Sequence, residues 1–210
     1  MEPIVTLTIN PAIDKNTSVG QVLAEEKLYC ARPTREPGGG GLNVSRAIQR
    51  LGGRSSAVYT AGGPPGDILR SLLEVEDIDD RPVEIEGWTR ENLIVFEEQS
   101  GRQFRFGMPG PSIREDELDR CIESLRSSER PPGWVVASGS LSEDVPSDFY
   151  SRVGRAAREM GARFVLDASK DALRDGLQAG AFLIKPNLRE LQQLAGSALE
   201  TEQEQEASAR

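Results

Sequence analysis

Four consecutive glycines open directly onto a helical pattern in Glu36-Pro37-Gly38-Gly39-Gly40-Gly41-Leu42-Asn43-Val44-Ser45-Arg46-Ala47, and no other stretch constrains the fold as strongly. Val44, Ala47, Ile48 and Leu51 follow at helical spacing, and Gly52-Gly53 supplies a stop. Glycine has no Cβ, so its backbone can approach a ligand closely. A helix start adds unpaired N–H groups that suit an anion or a hydroxyl. The stretch therefore reads either as a cradle for a polar ligand or as a flexible turn joining two elements.

A chain of 210 residues can bury the core of one domain. Its 25 basic and 34 acidic residues leave a net charge of -9 and no basic patch, which argues against a nucleic-acid partner. No apolar run is long enough to span a bilayer, and Met1-Glu2-Pro3-Ile4 lacks the features of a signal peptide. A soluble cytoplasmic protein without membrane partners is expected. The chain has no histidine, so Ser-His-Asp and Cys-His catalysis and histidine-ligated metals are excluded together. Cys30 and Cys121 lie too far apart in sequence to suggest a zinc cluster or a redox pair.

Residues 4–9 form a β-branched, apolar run that meets Asn10-Pro11, as a strand ending in a loop does. Asp14 sits just past that strand end, where open α/β sheets collect ligands; a solvated turn aspartate is the alternative. Between residues 16 and 34 the pattern predicts two short strands, one with Val19, Val22 and Leu23 and one with Leu28, Tyr29 and Cys30. Such strands break a βαβ rhythm and predict a flap added to the main sheet. A strand over 55–60 and a helix carrying Ile68, Leu69, Leu72 and Leu73 then begin the alternation.

Residues 83–85, 92–97 and 103–108 are three further strand-like runs, the last two joined by a hairpin turn at Glu98-Gln99-Ser100-Gly101-Arg102. Lid inserts are thus expected at about 16–35 and 83–108 within a single domain spanning 1–210, together covering the glycine loop. Arg90 and Arg105 fall in the second insert. Guanidinium forks suit phosphate, although an arginine on the solvent face of a strand is the more usual case.

Ser112 to Glu115 has capping-box spacing ahead of a helix with Leu118, Cys121, Ile122 and Leu125. Residues 134–137 read as a strand ending at Ser138-Gly139-Ser140-Leu141, and a helix with Phe149, Val153 and Ala157 ends at Gly161. Two more strands end at Asp167 and at Lys185-Pro186-Asn187. Glu190, three residues beyond Asn187, can face the same strand end. Lysine, carboxamide and carboxylate there suit nucleotide phosphates and hydrated magnesium, or form a plain helix start with Asn187 as N-cap. The tail from 199 to 210 reads as a helix or a frayed end, and both standard phosphate-loop patterns are absent.

These stretches in this order resemble the ribokinase-like sugar kinases, within them the phosphofructokinase-B branch. The resemblance runs through Leu7 to Asp14, Pro37 to Arg46, Trp88 to Asn92, Arg105 to Gly110, Ser138 to Leu141, and Lys185-Pro186-Asn187 with Glu190. It implies a Rossmann-like α/β fold, a mostly parallel sheet flanked by helices, with a small β-sheet lid and a homodimer through that lid. It also implies phosphorylation of a sugar phosphate by ATP with Mg2+. Asp14, Gly39, Gly40 and Asn43 would hold sugar hydroxyls, with Ser138 or Ser140 near the same pocket and Arg90 and Arg105 on the phosphate. Lys185 and Asn187 would face ATP, and Glu190 the magnesium ion through water. Lys27, on a lid strand, would reach a neighbouring subunit's site. The four-glycine loop is similar to that of the ATP-dependent 6-phosphofructokinases, which makes fructose 6-phosphate the first expected substrate, with fructose 1-phosphate and tagatose 6-phosphate as alternatives.

One departure stands out. The family's Gly-Ala-Gly-Asp segment, whose aspartate is the catalytic base, has no counterpart in these residues. The resemblance therefore implies a C-terminally incomplete kinase fold, no catalytic base in this chain, and little turnover by the chain alone. A non-catalytic module that binds sugar phosphate or dimerises is the competing expectation.

Overall fold

The structure is a computed structural model and describes residues 2–127 and 130–209. In chain order its elements are β1 (Ile4–Thr8), β2 (Ala12–Val19), β3 (Thr34–Gly38), α1 (Gly40–Arg50), β4 (Ser56–Ala61), α2 (Gly63–Val75), β5 (Asp79–Glu84), β6 (Arg90–Glu97) and β7 (Gln103–Phe106). There follow α3 (Glu115–Arg126), β8 (Trp134–Ser138), α4 (Phe149–Glu159), β9 (Arg163–Asp167), α5 (Lys170–Gln178), β10 (Leu183–Ile184), α6 (Leu188–Ala195) and α7 (Glu202–Ser208).

The main sheet has six parallel strands in the order β10-β9-β8-β1-β4-β5. Parallel strands need crossover connections, and the helices that supply them cover both faces. Period-two alternation divides the core accordingly. Val5, Leu7 and Val58 point to the side of α3 and α4, packing with Leu118, Cys121, Phe149 and Val153. Ala57, Tyr59 and Ala61 point to the other side, where Leu42 of α1 and Leu69 and Leu73 of α2 meet them. The chain winds outward from β1 through β4 to β5, then returns to place β8 on the opposite flank of β1. The strand order thus reverses between β1 and β8, and their carboxyl ends frame a crevice.

A second sheet has the order β3-β2-β6-β7, with β2 and β6 parallel and the outer pairs antiparallel. Its strands differ from the expected inserts in two ways. The runs around Val22 and Leu28 are not strands; β2 begins earlier, at Ala12, and β3 is the polar segment Thr34–Gly38. A half-exposed strand in a small sheet shows little apolar alternation, so the charged and Pro-containing β3 carried no strand signal. Val83, expected in the lid, belongs to β5 at the edge of the main sheet, where it pairs with Thr60.

The inward face of one helix and the start of another also differ from expectation. The buried face of α1 is Gly41, Leu42 and Ser45, whereas Ala47 is exposed and Leu51 is 87% exposed. Small residues face the sheet because the helix lies close upon it: Thr6 and Ser45 share a hydroxyl–hydroxyl bond of 2.8 Å, and the Leu42 N–H donates to Thr8 Oγ1 at 2.9 Å. At α3 the start is Arg114, whose N–H donates to the buried Glu117 carboxylate at 2.7 Å, so the Ser112 to Glu115 spacing is not the cap.

Candidate functional site

The glycine run joins β3 to α1 at the mouth of the crevice. Gly39 has φ +129, a conformation that side chains rarely adopt. Gly40 lies so close to β8 that a Cβ there would stand 2.1 Å from Ser138 Oγ and 2.8 Å from the Ser138 carbonyl carbon. The glycines therefore serve close approach between two elements.

Asp14 lies on β2 rather than in the loop after β1, which corrects its expected setting. The strand register sets it opposite Asn92 of β6, whose Nδ2 donates to Asp14 Oδ1 at 2.8 Å. Arg105 of β7 pairs with Ile94, on the same face of the sheet as Asp14 and Asn92. Asp14, Asn92, Arg105 and Gly107 line one cavity of about 240 Å³.

Arg90 begins β6. Its Nη1 donates to the Met108 carbonyl at 3.0 Å and its Nη2 to the Asn10 carbonyl at 3.1 Å, which fixes the fork between the two sheets. Its Nε is buried without a partner, as are Asn10 Oδ1 and Ser142 Oγ among the described residues. Burial pulls the Arg90 guanidinium below its ordinary value, and the nearby Asp14 charge opposes that shift. The fork thus carries both a positive charge and a free buried donor. An anion is the complement to such a group.

Ser138 ends β8, is 2% exposed, and donates from Oγ to Asp167 Oδ2 at 2.9 Å. The other Asp167 oxygen, Oδ1, stands 3.3 Å from Lys185 Nζ. Asp167 at the carboxyl end of β9 thereby links the glycine side of the crevice to the lysine side. Tyr150 OH supports the same corner by donating to the Gly139 carbonyl at 2.8 Å; burial first, and then the Asp167 charge, push its pKa well above the ordinary phenol value. Ser140 is exposed beyond this corner.

The remaining expected residues are more peripheral. Asn43 is exposed in the first turn of α1, where its Oδ1 accepts from Arg46 Nη1 at 3.2 Å. Lys27 is not on a strand: it lies in the exposed connection between β2 and β3, with Nζ 5.2 Å from the centre of the Tyr29 ring. The adjoining Glu25-Glu26 turn, with Glu25 at φ +61, interrupts any strand there. Asn187 and Glu190 form a reciprocal capping box, Asn187 Oδ1 accepting from the Glu190 N–H at 3.0 Å and Glu190 Oε2 from the Asn187 N–H at 2.9 Å. Asn187 is exposed and Glu190 half-buried, and one acceptor oxygen of each is committed to the helix start.

The structure thus brings together Asp14, Gly39, Gly40, Arg90, Arg105 and Ser138, and sets Lys185, Asn187 and Glu190 on the neighbouring strand end. Asn92 and Asp167 join them and were not singled out from sequence. Asp167 carried the same signal as Asp14, a carboxylate at a strand end. The signal for Asn92 is an amide in a strand, a position asparagine seldom takes.

Residues 3–210 match the profile of the pfkB family carbohydrate kinases. The chain is 42% identical over 206 residues to ATP-dependent 6-phosphofructokinase isozyme 2 of Mycobacterium tuberculosis, covering 98% of this chain and 60% of that protein. It is 42% identical over 200 residues to ATP-dependent 6-phosphofructokinase isozyme 2 of Escherichia coli K12, covering 95% and 64%. The crystal structure of phosphofructokinase-2 from Escherichia coli in complex with fructose-6-phosphate superimposes with a TM-score of 0.94 at 40% identity, over 100% of this chain and 69% of that one. The chain therefore spans about 60% of the length of the Mycobacterium tuberculosis relative.

Proposed function

Because the chain belongs to the pfkB family of carbohydrate kinases, we propose that it supplies the sugar-phosphate site and part of the ATP site of a kinase acting on fructose 6-phosphate. The observation that carries this reading is the pairing, in one cavity, of a carboxylate and a guanidinium: Asp14 to take sugar hydroxyls and Arg105 to take the phosphate. Arg90 adds a second, tethered guanidinium. The Gly39–Gly40 backbone, with Asn43 and Ser138, completes the hydroxyl side. Since the chain carries the elements that position substrate, and phosphoryl transfer depends on positioning and charge stabilisation, binding is the part of the reaction assigned to it.

ATP phosphates fit the other side of Asp167. Lys185 presents an exposed ammonium there, and Asn187 keeps its Nδ2 donors free after its oxygen has capped α6. Among the described residues no three acidic or cysteine side chains cluster as a metal cage. Mg2+ fits only as a hydrated ion, held through water by the Glu190 oxygen left over from capping; when bound it would neutralise phosphate charge. A second copy of the chain is assigned to the face of the second sheet opposite Asp14, where Leu93 and Phe106 pair in register and stay partly exposed. Lys27, in the connection beside this sheet, is the residue proposed to reach the neighbouring copy.

Titration of the chain with fructose 6-phosphate, followed by the fluorescence of exposed Trp88 beside Arg90, tests the reading. A saturable change that is weaker with fructose 1-phosphate and tagatose 6-phosphate is expected. Binding that is unaffected by both Asp14→Ala and Arg90→Ala would refute it. In a protein of the relatives' full length, ADP release from ATP should require the sugar phosphate; binding without release would leave a non-catalytic module.

A further inference from the structure

Resting on the sugar-phosphate reading above, we propose that Asn92 is a positioning residue that sets the spacing between the hydroxyl-binding carboxylate and the phosphate-binding guanidinium. Its carboxamide is the middle of a continuous chain of hydrogen bonds. Nδ2 donates to Asp14 Oδ1 at 2.8 Å, and Oδ1 accepts from the Met108 N–H at 3.1 Å. The Met108 carbonyl in turn accepts from Arg90 Nη1 at 3.0 Å. Arg90 then closes onto the main sheet side through the Asn10 carbonyl at 3.1 Å.

Both partners of Asn92 require the same orientation of the amide. The opposite one would set the carboxamide oxygen against a carboxylate and its NH2 against an N–H. Asp14 is confined on its other oxygen as well: Gly38 lies so near that a Cβ there would be 2.6 Å from Oδ2. The carboxylate is thus held between Asn92 and a glycine, and the guanidinium is held by a carbonyl whose own peptide segment Asn92 anchors. Strand geometry does not explain an asparagine here, because the residue type is unfavourable in strands and β-branched residues pack better. The amide makes sense as a spacer that fits one separation of hydroxyl and phosphate, which is a selection for substrate length.

Two substitutions separate the halves of the chain of bonds. Asn92→Asp keeps an acceptor for Met108 and sets a second carboxylate in place of the donor to Asp14, at nearly unchanged volume. Asn92→Ala loses both. The measurements are calorimetric dissociation constants of the purified chain for fructose 6-phosphate and for inorganic phosphate, with hydrogen exchange at the Met108 amide. Asn92→Asp should weaken fructose 6-phosphate about tenfold or more, as loss of a hydrogen bond to a charged group does. It should weaken inorganic phosphate clearly less than fructose 6-phosphate and leave Met108 protected. Asn92→Ala should weaken both ligands and expose Met108 to exchange. Equal weakening of both ligands by Asn92→Asp, no weakening by either variant, or Met108 protection that survives Asn92→Ala would overturn the role of Asn92. If the unsubstituted chain bound neither ligand, the sugar-phosphate reading itself would fall and the spacing role with it. The two failures are therefore distinct.

Discussion

The two halves of the crevice are built by different means. On the glycine side Asp14, Arg90 and Ser138 are placed by contacts between distant segments: β2 with β6, Gly40 with Ser138, Arg90 with the carbonyls of Asn10 and Met108. On the lysine side the placement is local, Asn187 and Glu190 bonding each other across three residues at an exposed helix start. The first is over-determined and stiff, as a site must be to discriminate a substrate's shape. The second is built from one turn of helix and is free to adjust, which suits a flexible polyphosphate.

The contrast can be broken most forcefully at Gly40. Gly40→Val places atoms into Ser138 and should cost about 1–3 kcal/mol of stability by overpacking, together with loss of measurable fructose 6-phosphate binding. A melting curve and a titration check it; an unchanged melt with intact binding would mean that the two elements do not meet so closely. Arg90→Ala comes next. Removing a charge-assisted partner should weaken fructose 6-phosphate by about 1.5–3 kcal/mol, and Asn187→Ala measured beside it should leave that binding unchanged. If both lowered affinity alike, the division into two sides would be wrong.

The cysteines probe the same difference in burial. Cys121, on the inner face of α3, is fully buried, and desolvation pushes its thiol up to about 12, whereas Cys30 in the β2–β3 connection is exposed. A thiol reagent at mild alkaline pH should find one cysteine in the native protein and two after denaturation. Because the folded value lies above the unfolded one, near 8.5, the contribution of Cys121 to stability is intact below that pH. It is lost as the pH rises toward about 12. Urea midpoints across that window should fall less in Cys121→Ala than in the unsubstituted chain. The smallest effect is expected at the lysine side itself: Asn187→Ala removes an N-cap worth about 1 kcal/mol, seen as faster hydrogen exchange confined to the start of α6.

Much of this was legible from residues alone where the signal was local. The βα alternation, the stop at Gly52 with φ +80, and the capping pair Asn187 and Glu190 follow from periodicity and neighbours within one turn. The second sheet was legible only in outline. β3 has no apolar alternation, and β5 resembled a lid strand because its charged residues, at a sheet edge, read like those of an insert. The inward face of α1 was misassigned for a related reason: hydropathy favours Val44 and Leu51, but the close approach to β1 selects Gly41 and Ser45.

The sequence by itself determined the class of fold and the chemistry available: no histidine, a glycine run before a helix, and carboxylates, arginines and a lysine at strand ends. Those properties depend on residue type and short spacing. Only the tertiary structure decided which of these groups meet. It placed Asp14 on β2 across from Asn92, tied Arg90 to Met108 and Asn10, and made Asp167 the link between Ser138 and Lys185. Pairings of that kind depend on strand order and register, which are settled by the packing of the whole core rather than by any one segment.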